Sequence, residues 1–244
     1  YREQLSVADC LRSSFWWHNQ TINIWTSVVL AGFNIYLAAH YTTDVSSSFA
    51  IFFWMHGILR AYCWVNSWAY HTFVCHSERA ANILCTLDYI GCYLTPLGMC
   101  SNLINVELAN YPVAKNTVLL VGLIAVVGAI VVSTLPRYQT EKYRLVRVGM
   151  SAACTVPYLV GIAIAIAFVH SGEVPQYYIY LGYAIGFELV GAFFYASMYP
   201  ERSFPYMFDS LLSSHSLWHW FNFGFDFYMM YFVYRAYQGQ QCSI

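Results

Sequence analysis

Seven stretches of roughly 20 apolar residues, each long enough to cross a hydrocarbon core of about 30 Å, recur along this chain at close intervals. They fall near residues 22–41, 49–73, 83–104, 113–135, 146–169, 176–199 and 212–235. The pattern predicts an all-α membrane protein, a seven-transmembrane helix bundle. The segments between them are short and polar, such as Thr42 to Ser48, His76 to Asn82 and Pro200 to Pro205. Turns of that length join neighbours within one bundle, and no internal repeat or long linker interrupts them, so 1–244 reads as a single domain. Composition agrees: only 9% of residues are charged and 59% are apolar, against about 25% charged in a soluble domain.

A net charge of -1 leaves no basic surface for a nucleic acid, so membrane lipid is the expected surrounding partner and nucleic acid is not. The amino end lacks the basic n-region of a secretory signal peptide, and a start at Tyr1 points to a segment upstream. Orientation follows from the cations. With the amino end cytoplasmic, Arg2, Arg12, Arg79, Arg137, Lys142, Arg144, Arg147 and Arg202 are inside, eight of the eleven Lys and Arg residues. Lys115 and Arg235 are outside, and Arg60 lies in the second segment. The positive-inside rule thus places the carboxyl end outside, opposite to a G-protein-coupled receptor. The sequon Asn19-Gln20-Thr21 then faces the cytoplasm, where no glycan is added, and reads as accidental.

This topology brings four ionisable residues to one depth, near the inner leaflet. His71 ends the second segment, Asp88 lies near the start of the third, and His215 and His219 begin the last. Ionisable groups at membrane depth are costly and mark working sites. The i, i+4 pair puts two imidazoles on one helix face, about 6 Å apart along the axis. Three histidines with an open fourth position are the pattern of a catalytic zinc, which lowers the pKa of bound water to about 7. Asp88 is then the natural general base or orienting acceptor, and Ser67, four residues before His71, shares its face. His76 is a rival for His71, with a solvated loop role preferred.

The stretches SSFWWHNQTINIWTS (Ser13 to Ser27), YHTFVCHSERAANILCTLDYIG (Tyr70 to Gly91) and YPERSFPYMFDSLLSSHSLWH (Tyr199 to His219) resemble the three signature regions of the progestin and adipoQ receptor family. That family includes the adiponectin receptors and the haemolysin III-related proteins, and the runs CHSER and LDYIG most resemble the adiponectin receptors. The resemblance implies a seven-helix receptor with an inner amino end and Zn2+ near the cytoplasmic leaflet. By position its zinc ligands fall on His71, His215 and His219, its aspartate on Asp88 and its serine on Ser67. It further implies hormone-type signalling, with a protein hormone or steroid as ligand. For the adiponectin-receptor branch it implies an amidase acting on ceramide. The plasma membrane is the expected location. Two departures are visible: Ser27 where relatives commonly read NIWTH, and Ser216 where they commonly read SHQ. The adaptor-binding cytoplasmic region of the adiponectin receptors is not visible, so any cytosolic adaptor is unassigned.

The residues leave two readings of the metal open: a hydrolase site, and a structural zinc in a non-enzymatic receptor or scaffold. A transporter would show a polar stripe on several helices or inverted repeats, and neither is read from the sequence. Arg60 is expected to pair with Glu188 or Asp226 inside the bundle. Glu201, Arg202 and Asp209 are expected to tie the last loop to its helices. The eight Cys contain no CxxC pair and read as reduced apolar filler. The 22 Tyr and 8 Trp suit membrane interfaces. Pro96 and Pro157 are expected to kink their helices.

Overall fold

A computed structural model describes residues 4–139 and 141–241; Arg2 and Cys242 lie outside them. The described residues form eight α-helices and no strand. In chain order these are α1 (Val7–Ser13), α2 (Thr21–Tyr41), α3 (Ser47–Phe73), α4 (Glu78–Glu107), α5 (Pro112–Thr134), α6 (Arg144–Ile164), α7 (Tyr178–Ser197) and α8 (Ser214–Gln241). Short 3-10 turns over Pro136–Gln139 and Glu141–Tyr143 precede α6, and a π turn over Ala165–Val169 continues it. Helices α2 to α8 coincide with the seven apolar stretches. The sequence did not announce α1, whose seven residues are too few for a periodic signal.

Local chemistry sets the helix starts. Ser6 caps α1 by accepting from the Asp9 N–H, and Ser77 caps α4 by accepting from Ala80 N–H with Glu78 in the first turn, where an anion suits the helix dipole. Pro112 opens α5 at a position whose N–H has no helical partner. Met198, at φ 54, ends α7 in the left-handed region. The helices α4 and α6 run on through Pro96 and Pro157.

Five of the helices are long and apolar enough to cross a membrane: α2, α4, α5, α6 with its π turn, and α7. The other two long ones, α3 with 27 residues and α8 with 28, are the more polar. They carry His56, Arg60, Ser67 and His71, and His215, His219, Asn222 and Asp226. Their lower hydropathy has a physical cause, because their polar groups point inward. Conversely, Leu120, Val121, Leu123, Ile124, Val127 and Val131 of α5 are exposed, an outside-apolar arrangement that belongs in lipid. The protein is an integral membrane protein.

Helix α3 packs between α2 and α4, α8 packs against α7 and also touches α2 and α4, and α5 pairs with α6. Two glycines permit the crossings of α3. A Cβ on Gly57 would lie 2.6 Å from the Ala38 Cβ, and one on Gly91 would lie 2.7 Å from the Cys63 Cα. Such close approach of backbones drives helix association where lipid removes the hydrophobic force. The apolar core, including Leu37, Phe53, Leu103, Ile104, Met230 and Phe232, fills the end made by the last turns of α2, α4 and α8. The opposite end, where α2 and α8 begin and α3 stops, is polar inside. Between them Arg60 pairs with Asp226 at 2.5 Å, choosing that partner over Glu188. Arg60 Nη2 also donates to Asn222 Oδ1 at 2.8 Å, and Asn34 Nδ2 donates to Asp226 Oδ2 at 2.7 Å.

Candidate metal centre

The polar end of the bundle assembles the three histidines. His71 stands in the last turn of α3, and His215 and His219 stand in the first two turns of α8. The start of α8 is fixed by Glu201, whose carboxylate accepts the Ser214 N–H at 2.7 Å and also the Ser214 hydroxyl. This is the tie expected of Glu201, and it ends one residue before His215. The ring centroids of His71, His215 and His219 are 4.7, 5.4 and 4.9 Å apart pairwise. One nitrogen from each lies within 4.8 Å of the others, and the Nε2 atoms of His71 and His215 are 2.9 Å apart. His71 and His219 are buried and His215 is half-buried.

The backs of two rings are held. His71 Nδ1 sits 2.8 Å from Gln20 Oε1, and His219 Nδ1 sits 2.8 Å from Thr26 Oγ1. Each ring therefore turns its Nε2 inward. Trp64 meets the His219 ring edge-on at 5.0 Å, and Tyr195 lies 5.3 Å from the His215 ring. Tyr195 is in turn hydrogen-bonded to the Tyr89 hydroxyl at 2.6 Å and covered by the Arg144 guanidinium at 4.2 Å. Three imidazole nitrogens crowded together, with no carboxylate in the group, form a donor set suited to a borderline-soft divalent ion. These three residues can hold a metal ion.

The other expected site residues fall as follows. Ser67 is buried, and its hydroxyl lies 3.3 Å from Ser27 Oγ. Asp88 stands half-buried on α4, outside the metal-capable group and within electrostatic reach of Tyr195. His76 is not in the group either; its Nδ1 is 2.9 Å from the Leu5 carbonyl, so it fastens the amino-terminal segment instead of resting in solvent. Cys10 and Cys75 bring their sulfurs to 3.6 Å beside that contact, and all described cysteines are free thiols.

The family model described as haemolysin-III related matches residues 15–229. The chain belongs to the haemolysin-III related family. Its relatives include the Caenorhabditis elegans progestin and adipoQ receptor-like protein 1, 29% identical over 88% of this chain and 51% of that one. Heptahelical transmembrane protein 3 of Arabidopsis thaliana is 27% identical over 91% of this chain and 77% of its own. The Drosophila melanogaster adiponectin receptor protein is 27% identical over 88% of this chain and 50% of its own. The chain thus spans about half the length of the two animal relatives. The family suspected from the three stretches is the family shown.

In this haemolysin-III related protein, sequence reading missed the contribution of α2. Gln20, Asn23, Thr26, Ser27 and Asn34 recur at helical spacing along an otherwise apolar helix, a polar stripe facing α3 and α8. Gln20 belongs to the sequon dismissed as accidental, and it contacts His71. Ser27 and Ser216 also land here. Ser27 donates to the Asn23 carbonyl at 2.7 Å, and Ser216 donates to Asn23 Oδ1 at 3.0 Å. The stripe was visible in the letters; what it faces was not.

Proposed function

We propose that this chain is a seven-helix membrane receptor of the progestin and adipoQ receptor type, amino end cytoplasmic, holding Zn2+ between His71, His215 and His219. The observation that carries the reading is the convergence of three imidazole nitrogens within 4.8 Å. Support for seven spans comes from α3 and α8, whose 27 and 28 residues give about 40 Å at 1.5 Å per residue, and from the heptahelical name of a relative. The distribution of Lys and Arg supports the orientation. Two relatives named as receptors support transduction of a hormone or lipid signal.

We further propose that the signal runs through hydrolysis of a lipid amide of the ceramide class, releasing a sphingoid base and a fatty acid. Zinc in such a site supplies Lewis acidity towards a carbonyl and water activated near neutral pH. Asp88 takes up the water's proton at its carboxylate and passes it to the leaving amine, and Ser67 orients the amide carbonyl by hydrogen bonding. The second reading, a non-enzymatic receptor or scaffold with a structural zinc, is favoured by the position of Asp88 outside the metal-capable group.

Metal content and ceramide turnover of the purified protein, with His219→Ala and Asp88→Ala, decide between them. The hydrolase reading expects zinc in the parent and in Asp88→Ala, and turnover in the parent alone. Zinc without turnover leaves the structural reading, and full zinc in His219→Ala removes the site. Tags at both ends, probed from one side of the membrane, check the orientation.

A further inference from the structure

Resting on the metal reading above, we infer that the first turns of α2 position the metal ligands, with Gln20 and Thr26 holding His71 and His219 as the tautomers that carry hydrogen on Nδ1. The Thr26 hydroxyl has one proton, and its shortest bond, 2.6 Å, goes to the Ile22 carbonyl. Its oxygen can then only accept from His219, so Nδ1 of His219 bears the hydrogen and Nε2 bears the lone pair.

At His71 the reasoning passes through three more side chains. Ser216 Oγ donates to Asn23 Oδ1 at 3.0 Å, and the Asn23 NH2 then lies towards Gln20. Asn23 Nδ2 donates to Gln20 Oε1 at 3.0 Å, which turns that oxygen, and not the amide nitrogen, to His71. Gln20 Oε1 then accepts from His71 Nδ1 at 2.8 Å. Ser213 Oγ lies 2.8 Å from Ser216 Oγ and extends the chain to the start of α8. A run of hydrogen bonds thus begins beside His215, crosses α2 and ends on His71. Both rings present lone pairs inward, as a metal requires. The partners are neutral, so they fix orientation without adding charge to the site.

Ser216, on α8, is the group that joins this run to Asn23 of α2. In this chain the positioning of His71 is therefore wired from α8 through α2.

The test is metal affinity, measured with Zn2+ alone against a chelator of known affinity, together with the visible spectrum of the Co2+ form. Thr26→Val keeps the shape and removes the acceptor; Gln20→Leu does the same for His71. Each is expected to weaken Zn2+ binding by about 10- to 100-fold and to change the Co2+ ligand-field bands, while Thr26→Ser restores parent affinity and spectrum. Parent affinity in both Thr26→Val and Gln20→Leu, with His219→Ala metal-free, overturns the positioning role and leaves the metal site standing. Full metal in His219→Ala overturns the metal reading itself. Should Thr26→Val fold poorly, Gln20→Leu at the helix cap carries the test.

Discussion

Two buried polar clusters lie along the same pair of helices, seven residues apart on α8, and they are built on opposite plans. At one, Arg60 and Asp226 meet at 2.5 Å, and Asn34, Asn222 and Thr95 are hydrogen-bonded to the pair. Positive and negative charge cancel inside the protein. At the other, three imidazoles face one another, backed by a neutral amide and a neutral hydroxyl. Nothing in that group cancels anything. The first cluster pairs its charges within the protein; the second turns three nitrogens towards a common point where a metal ion could be held. Both stand inside an integral membrane protein, where an uncompensated buried polar group is expensive. One pair of helices thus carries both an internal charge pair and a group that can hold a metal ion.

The largest expected effect breaks the closed cluster. Asp226→Ala strands the Arg60 guanidinium, which is 5% exposed, and loss of one partner of a buried pair costs about 3–5 kcal/mol. Unfolding in detergent should show that loss, while zinc per folded molecule stays at the parent value. Zinc lost from fully folded Asp226→Ala would mean that the clusters are one unit.

His219→Ala opens the other cluster. Removing a ligand should exceed the effect of any backing group, so affinity should fall by more than about 100-fold, equivalent to about 2.8 kcal/mol at 1.4 kcal/mol per tenfold. With metal removed by chelator, parent and His219→Ala should unfold at similar denaturant concentrations. A metal-free protein that has lost as much stability as Asp226→Ala would make the histidines structural.

The two clusters also differ in how far the sequence revealed them. Hydropathy is local, so the positions of α2 to α8 could be read to within a few residues, and the four-residue spacing of His215 and His219 is a property of one helix. His71 could be added because topology fixes depth. Arg60 could be seen to need a counter-charge, but Glu188 and Asp226 satisfied the same rule, and only packing chose. Gln20 and Thr26 act across separations of 51 and 193 residues. Their role depends on how closely α2 approaches α3 and α8, which glycines such as Gly57 set and which no periodicity encodes. Helix α1 was invisible because its seven residues make only about two turns.

Glu201→Ala should have a smaller effect than either ligand or ion-pair loss. It removes the carboxylate that accepts two hydrogens at the start of α8, a capping interaction worth about 1 kcal/mol. Unfolding should register about that much, and zinc affinity should fall by a few-fold as the turn carrying His215 loosens. Unchanged affinity would show that His215 is held by its ring contacts alone.

Ser67→Ala should be the mildest in stability and the sharpest in meaning. Ser67 is buried four residues before His71, and its hydroxyl lies 3.3 Å from Ser27 Oγ, a long contact. Ser27 keeps its better partner, the Asn23 carbonyl at 2.7 Å, so nothing is left wholly unpaired, and the loss should be about 0.6 kcal/mol, the usual size of a hydrogen bond between membrane helices. Zinc binding should not change, because Ser67 touches no ligand ring. If the hydroxyl orients the amide carbonyl, ceramide turnover falls while stability and zinc stay put. Turnover equal to the parent's would assign Ser67 to the α2–α3 contact alone, and would move it from the open cluster's chemistry into the same category as Asn34 and Asn222 in the closed one.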